Sequence, residues 1–193
     1  MPFADEILPG GVKLTPYQAS WAADFRGYRD ELEDILGSLA LAVEHIGSTS
    51  VPGMASKDCI DIQVLVLTVS DPVIEHRMAE AGFRKRPEPW NLTETAWGQE
   101  TGKQVYAPAV GRRACNVHVR TAGSSGAKYA RLFRDYLIAN AAARDAWSEF
   151  KQRLARSVPD LSAYGTVKQP ATRVLMDGAL RWAEANRWGE LEL

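Results

Sequence analysis

No stretch of this 193-residue chain is apolar over the roughly 20 residues that a membrane-spanning helix needs. Residues 1–15 also lack the basic start and long apolar run of a secretory leader. No membrane association is therefore expected, and the expected compartment is the cytoplasm. Excess charge is missing too: 23 Lys and Arg stand against 24 Asp and Glu, a formal net charge of −1. A chain so balanced is not expected to hold nucleic acid or a lipid surface by bulk electrostatics. Cysteine is scarce. Cys59 and Cys115 stand singly among apolar residues without a CxxC or CxxH partner, so neither a zinc site nor a disulfide framework is expected. Both are expected to be buried, reduced thiols. No internal repeat or low-complexity tract interrupts the chain.

What is present suits a globular fold. The chain is 46% hydrophobic and 24% charged, and its length can bury a sizeable core. One domain over residues 1–193 is the expectation. A short strand is expected around Val12–Leu14. Trp21, Phe25, Tyr28, Leu32, Ile35 and Leu36 recur at helical spacing, and Gly37 suits the left-handed position that closes such a helix. Ala42–Ile46 and Cys59–Leu67 have strand character. Asp71-Pro72 is a helix start, an acceptor side chain followed by proline at the first helical position. Residues 87–103 lack periodicity and are expected to form a loop, in which Trp90 and Trp97 either stack on a base or cap the core. Gln104–Val110 and Ala114–Arg120 flank Gly111-Arg112-Arg113 as a β-hairpin. Helices are expected at 127–140, 142–157 and 166–187, with Pro170 near the start of the last, where proline costs least.

The chemistry concentrates between residues 43 and 64. Val43-Glu44-His45-Ile46 leads into Gly47-Ser48, and Asp61 follows within the next apolar strand. Glycine lets a chain approach a ligand closely, and a Gly-Ser turn offers backbone N–H groups and a hydroxyl to a phosphate. Side chains alternate along a strand, so Cys59, Asp61, Gln63 and Leu65 share one face, and Ile60, Ile62, Val64 and Val66 share the other. A carboxylate in such a strand requires a metal, a cation or water, because an unpaired buried charge costs several kcal/mol, on the order of 3–5. An ion pair with Lys57 or an arginine is the structural alternative to a metal. A site that clamps two Mg2+ ions needs further carboxylates. Gln63, two residues beyond Asp61 and on its face, is neutral and a poor bridge between two such ions, and Asn116, His118 and Arg120 share one face of a neighbouring strand without an acid.

The spacing from Gly47-Ser48 to Asp61 is similar to the nucleotidyltransferase superfamily signature. The longer run His45-Ile46-Gly47-Ser48-Thr49-Ser50-Val51-Pro52-Gly53, with Lys57 and Ile60-Asp61-Ile62, resembles the GrpB (UPF0157) family. Pro16-Tyr17, Trp21 and Phe25, then Asn116–Arg120, Leu132–Leu137, and Tyr164, Lys168, Pro170 and Trp182-Ala183 extend the likeness over roughly residues 14–188. The resemblance implies an α/β (α+β) fold: a nucleotidyltransferase-like mixed sheet with flanking helices and a helical C-terminal layer. It implies phosphate or nucleotide contacts at Gly47, Ser48, Thr49, Ser50, Lys57, Arg120, Arg134 and Lys168. It implies catalytic roles for Asp61 and His118, and Mg2+ at Asp61. The expected ligand is a nucleotide or a related phosphorylated small molecule. A related domain is fused to actinobacterial dephospho-CoA kinases. Two readings therefore stand: a nucleotidyltransferase with an incomplete carboxylate set, or a non-catalytic helper domain that meets a protein partner in coenzyme A biosynthesis.

Overall fold

A helix with Trp21, Tyr28, Leu32 and Leu36 on its buried side, α1 (Ser20–Leu36), covers one face of the sheet in the computed structural model, which describes Phe3 and residues 11–189. Gly37 ends it at φ +54°, a backbone conformation that glycine adopts without steric cost. The chain then forms β1 (Ala42–Ile46), a 3-10 turn at Ser48–Ser50, and β2 (Ile60–Val66). Asp71 caps α2 (Pro72–Glu80) by accepting from the Val73 N–H. β3 (Arg84–Lys85), β4 (Thr93–Ala96), β5 (Gln99–Ala107) and β6 (Cys115–Thr121) complete the strands. Three helices follow: α3 (Ser125–Ala139), α4 (Ala141–Ser157) and α5 (Leu161–Ala185). Each of these three has a polar cap, from Ser124, Asn140 and Asp160 respectively.

The strands lie in the order β1-β2-β6-β5-β3, with β4 paired to β5. The sheet is mixed: β2 and β6 run parallel, while β1–β2 and β5–β6 are antiparallel. Alternation gives it two unlike faces. Ile60, Ile62, Val64, Val66, Val117 and Val119 are buried beneath α1 and α2 in the largest apolar cluster. The other face carries Glu44, Asp61, Gln63, Asn116, His118 and Arg120, and it meets α3, on which α4 and α5 pack. Among the described residues no helix is long and apolar enough to cross a membrane.

Several expectations need correction. Residues 12–14 form no strand; Thr15 alone bridges Ser56. The expected loop at 87–103 instead holds a 3-10 turn (Pro89–Asn91) and the β4–β5 hairpin, closed by Trp97-Gly98. Its strand Thr93–Ala96 is short and mostly polar, so apolar periodicity could not reveal it. The last helix begins at Leu161, because Asp160 caps it, so Pro170 lies inside the helix and not at its start. Cys59 precedes β2, is only partly buried and is free, as is the buried Cys115.

The polar face is closed by a chain of contacts. Gln63, with no exposed surface, donates to Glu44 and accepts from Arg120 Nη1 at 3.2 Å. Arg120 grips Glu94 of β4 at 2.6 and 2.9 Å, and Arg131 of α3 lies 3.5 Å from Glu44. Burial alone would raise the Glu94 pKa, but Arg120 and Lys103 bring it down to about 2. Glu94 occupies the space that a Cβ on Gly126 would need. Gly126→Ala is therefore expected to push the carboxylate off Arg120 and cost about 1–3 kcal/mol, measured by urea unfolding. An unchanged midpoint would show that the network is slack.

Candidate functional site

Gly47 adopts φ +70° directly above Asp61, and a Cβ built on it would stand 2.6 Å from Asp61 Oδ2. Glycine is required here for two reasons, the left-handed backbone and the close approach to a carboxylate. The turn is braced from below. Ser50 donates to the Gly47 carbonyl at 2.6 Å, and His45 Nε2 meets Thr49 Oγ1 at 3.0 Å. The His45 ring stacks on Phe25 at 4.8 Å, and burial lowers its pKa to about 4, so it is neutral at pH 7. Thr49 and Ser50 thus hold the turn, while Gly47 and Ser48 line the cavity beside it.

That cavity has a volume of about 360 Å³. Its walls come from the turn, from Lys57, from Asp61, Asn116 and His118 on β2 and β6, and from α3, α4 and α5. Asp61 is one-third exposed to it. Burial alone would raise the Asp61 pKa; His118, Asn116 and Lys57 outweigh it and bring it down to about 2. Asn116 Nδ2 donates to Asp61 Oδ1 at 2.9 Å, while its Oδ1 accepts from Arg86 at 3.0 Å. His118 Nε2 is 3.8 Å from Asp61 Oδ1, too far for a hydrogen bond but close enough for a charge interaction. Burial pushes the His118 pKa down, against the pull of Asp61, and its Nδ1 has no hydrogen-bond partner among the described residues.

Lys151 was not foreseen. Its Nζ donates to Ser48 Oγ at 2.9 Å and to the Ala55 carbonyl at 2.6 Å, and the residue is only 2% exposed. Burial first, then Lys168 and Lys57, lower its pKa to about 7 despite Asp61. Lys168 shares the cavity, and burial with Lys57 lowers its pKa as well. One signal did exist in the sequence: Lys151 interrupts the buried stripe Trp147, Ser148, Leu154 of α4 at helical spacing.

Of the expected site residues, Gly47, Ser48, Lys57, Asp61, His118 and Lys168 come together. Arg120 and Arg134 do not. Arg120 is buried in its pair with Glu94, and Arg134 is spent on Asp135 at 2.7 Å and the His45 carbonyl at 3.0 Å. Glu44, next to the motif, is held by Gln63 and Arg131.

The donor set decides what the site can hold. Asp61 is the sole carboxylate among the lining residues, and the described residues contain no cluster of three His, Cys, Asp or Glu suited to a metal. Asn116 turns its N–H₂ toward Asp61 and offers no oxygen there. A pair of Mg2+ ions does not fit this set. A single Mg2+ that arrives with a polyphosphate fits, since Mg2+ commonly takes one or two carboxylates and completes its shell with water and phosphate.

The mixed sheet with its flanking helices has a nucleotidyltransferase-like fold. The structure of Cid1 with its product ApU shares the fold at a TM-score of 0.50 and 14% identity, over 79% of this chain and 48% of that one. The chain belongs to the GrpB family, whose model, described as GrpB protein, matches residues 11–177. A crystal structure of GrpB from Enterococcus faecalis superposes with a TM-score of 0.73 at 27% identity, covering 88% of this chain and 98% of that one. A dephospho-CoA kinase of Mycobacterium tuberculosis is 33% identical over 202 residues, 95% of this chain and 49% of the kinase. A UPF0157 protein of Streptomyces coelicolor is 34% identical over 146 residues, 74% of this chain and 70% of its own length. The chain thus spans about half the length of the dephospho-CoA kinases it matches.

The lysine at the centre of this site titrates with a definite sign. Its folded pKa of about 7 lies below the unfolded value, near 10.4. Between the two, the unfolded chain holds a proton that the native chain lacks, so stability rises with pH. Relative to Lys151→Met, the wild type is expected to gain about 2 kcal/mol between pH 7 and pH 9. Paired urea titrations measure it. A difference independent of pH would place the Lys151 pKa outside that window.

Proposed function

We propose that the cavity binds a nucleotide or a related phosphorylated small molecule, with its phosphates between the Gly47-Ser48 turn and the side chains of Lys57, Lys151 and Lys168. The observation that carries this reading is the convergence of three lysines on a cavity with one carboxylate. Their side chains come from a loop, from α4 and from α5, elements distant in sequence. Like charges brought together this way destabilise the empty protein, and an anion relieves the repulsion. Ser48 supplies a hydroxyl, and the glycine before it leaves room for a phosphate oxygen near the backbone. Lysine serves such a site as a point charge rather than as a bidentate clamp.

Asp61 takes a different part. Its carboxylate repels a bare polyphosphate and attracts one that brings Mg2+, so it would hold a single metal ion against the phosphate chain. Bound there, Mg2+ would neutralise phosphate charge and orient the chain. Asn116 keeps the Asp61 oxygen in place by its hydrogen bond. His118 lines the cavity beside the same Asp61 oxygen, where it would exchange a proton with a ligand group. Transfer of a nucleotidyl group is the enzymatic form of this reading, and the single carboxylate argues for binding ahead of catalysis.

The relatives favour a second reading. The chain aligns over most of its length with proteins named dephospho-CoA kinase, which are about twice as long. A non-catalytic helper that binds its phosphorylated ligand next to a kinase partner in coenzyme A biosynthesis would need the anion site and no metal pair.

Calorimetric titration with tripolyphosphate and with ATP, with and without Mg2+, tests the site. Without metal, Asp61→Asn is expected to tighten tripolyphosphate binding about threefold to tenfold, because a like charge is removed. With Mg2+, the same variant loses the metal-dependent gain. Lys151 must take up a proton before it pairs with a phosphate above pH 7, so wild-type affinity falls by up to about tenfold per pH unit from pH 7 to pH 9. No binding of either ligand at millimolar concentration would remove the anion reading.

A further inference from the structure

Two exposed tryptophans, Trp90 and Trp97, lie outside the cavity lining, and Trp97 touches its wall. Trp97 is 40% exposed, yet its ring is tilted against Tyr129 at 5.4 Å and 54°. Tyr129 lines the cavity from α3. Trp97 also carries an unusual backbone. It and Gly98 form the two-residue turn between β4 and β5, at φ +50° and +75°. Hairpin turns with two positive φ values favour Asn-Gly, Asp-Gly or Gly-Gly. A bulky aromatic residue there is disfavoured, and such strain is kept where a side chain has work outside the backbone.

The hairpin is held firmly enough to aim that side chain. Glu94 of β4 is clamped by Arg120 and Lys103 beneath Gly126 of α3. Ser125 donates to the Gln99 carbonyl at 3.5 Å. The indole is therefore fixed relative to Tyr129, and it does not serve as a plug for the core, because so much of it stays in solvent. Size adds a second argument. A cavity of about 360 Å³ is at the small end for whole ligands, so a polyphosphate with its sugar would fill it and leave an attached base at the rim.

We propose that Trp97 and Tyr129 form an aromatic lip on which the base of a nucleoside di- or triphosphate stacks while its phosphates occupy the lysine site. The inference rests on the anion-site reading above and narrows its ligand class. The ligand is a base-bearing polyphosphate, not a sugar phosphate or an inorganic anion. Stacking of this kind tolerates any base, because every base has a π-face, so the lip selects nucleotides as a class.

The test compares ATP with tripolyphosphate, which has no base, on the full chain and on Trp97→Asn and Trp97→Phe. Asparagine suits the turn, so the first variant is expected to keep its melting temperature. Trp97→Asn is expected to weaken ATP by about tenfold, the size of one base–aromatic contact, and to leave tripolyphosphate unchanged. Trp97→Phe is expected to recover most of the loss. ATP, and not tripolyphosphate, is expected to change tryptophan emission in the wild type and not in either variant. Equal ATP affinity in wild type and Trp97→Asn, with tripolyphosphate still bound, would overturn the lip and leave the anion site standing. Equal losses for both ligands would make Trp97 a structural residue and also overturn it. Failure of both ligands to bind the wild type would overturn the anion site, and the lip with it.

Discussion

One face of the sheet is apolar and the other carries six polar or charged side chains within three adjacent strands, and this imbalance constrains everything packed above it. Glu44, Asp61, Gln63, Asn116, His118 and Arg120 cannot be covered by an ordinary apolar helix without heavy desolvation cost. The α3–α5 layer meets the problem in two ways. Toward the β4 side it closes over the face and pairs the charges internally, through Arg131, Glu44, Gln63, Arg120 and Glu94. Toward the Gly47 turn it stands off and leaves a cavity with Asp61 and His118 in its wall. The site is the part of the polar face that the fold does not neutralise.

Gln63 sits at the boundary between the two halves, and its chemistry decides which half the position joins. An amide can donate and accept at once, so it bridges the Glu44 carboxylate and the Arg120 guanidinium. A carboxylate there would face Glu44 directly and lose that complementarity. The neutral residue in place of a second acid is therefore more than a missing metal ligand. It belongs to the contact chain that seats the β4–β5 hairpin on α3.

Much of this was legible before any coordinates. Helix α1, both strands of the motif, the cap of α2 and the face shared by Asp61 and Gln63 follow from apolar spacing and from a few residues with fixed backbone preferences, such as Gly37 and Asp71-Pro72. The family resemblance, carried by His45–Gly53 with Asp61, pointed to the mixed sheet. What escaped was what periodicity does not encode. β4 is short and largely polar, so its pairing with β5 depends on partners rather than pattern. Arg120 and Arg134 read as phosphate ligands in one dimension, because the Glu94 carboxylate and the His45 carbonyl that hold them in the fold are distant in sequence, Asp135 alone being a neighbour. Lys151 is the site residue that the sequence pattern hides most completely. A lysine on an amphipathic helix usually snorkels to water, and only the packing of α4 against the 47–56 segment denies it that route.

The buried lysine also weighs most in choosing between a metal-pair site and an anion site. A metal-pair site concentrates carboxylates, and its empty state is relieved by cations. Here three lysines line the cavity, and burial first, then repulsion from neighbouring lysines, brings the pKa of Lys151 down to about 7 and lowers that of Lys168 as well. Such a site is relieved by an anion, which restores the proton to Lys151 as it binds. Asp61 alone reverses the sign locally, and it lies where the Gly47 backbone presses against it. A single acid in a cavity lined by three lysines suits a ligand that carries both signs, a polyphosphate with one bound cation. A bare phosphate would leave Asp61 opposed, and a bare cation would leave the lysines opposed.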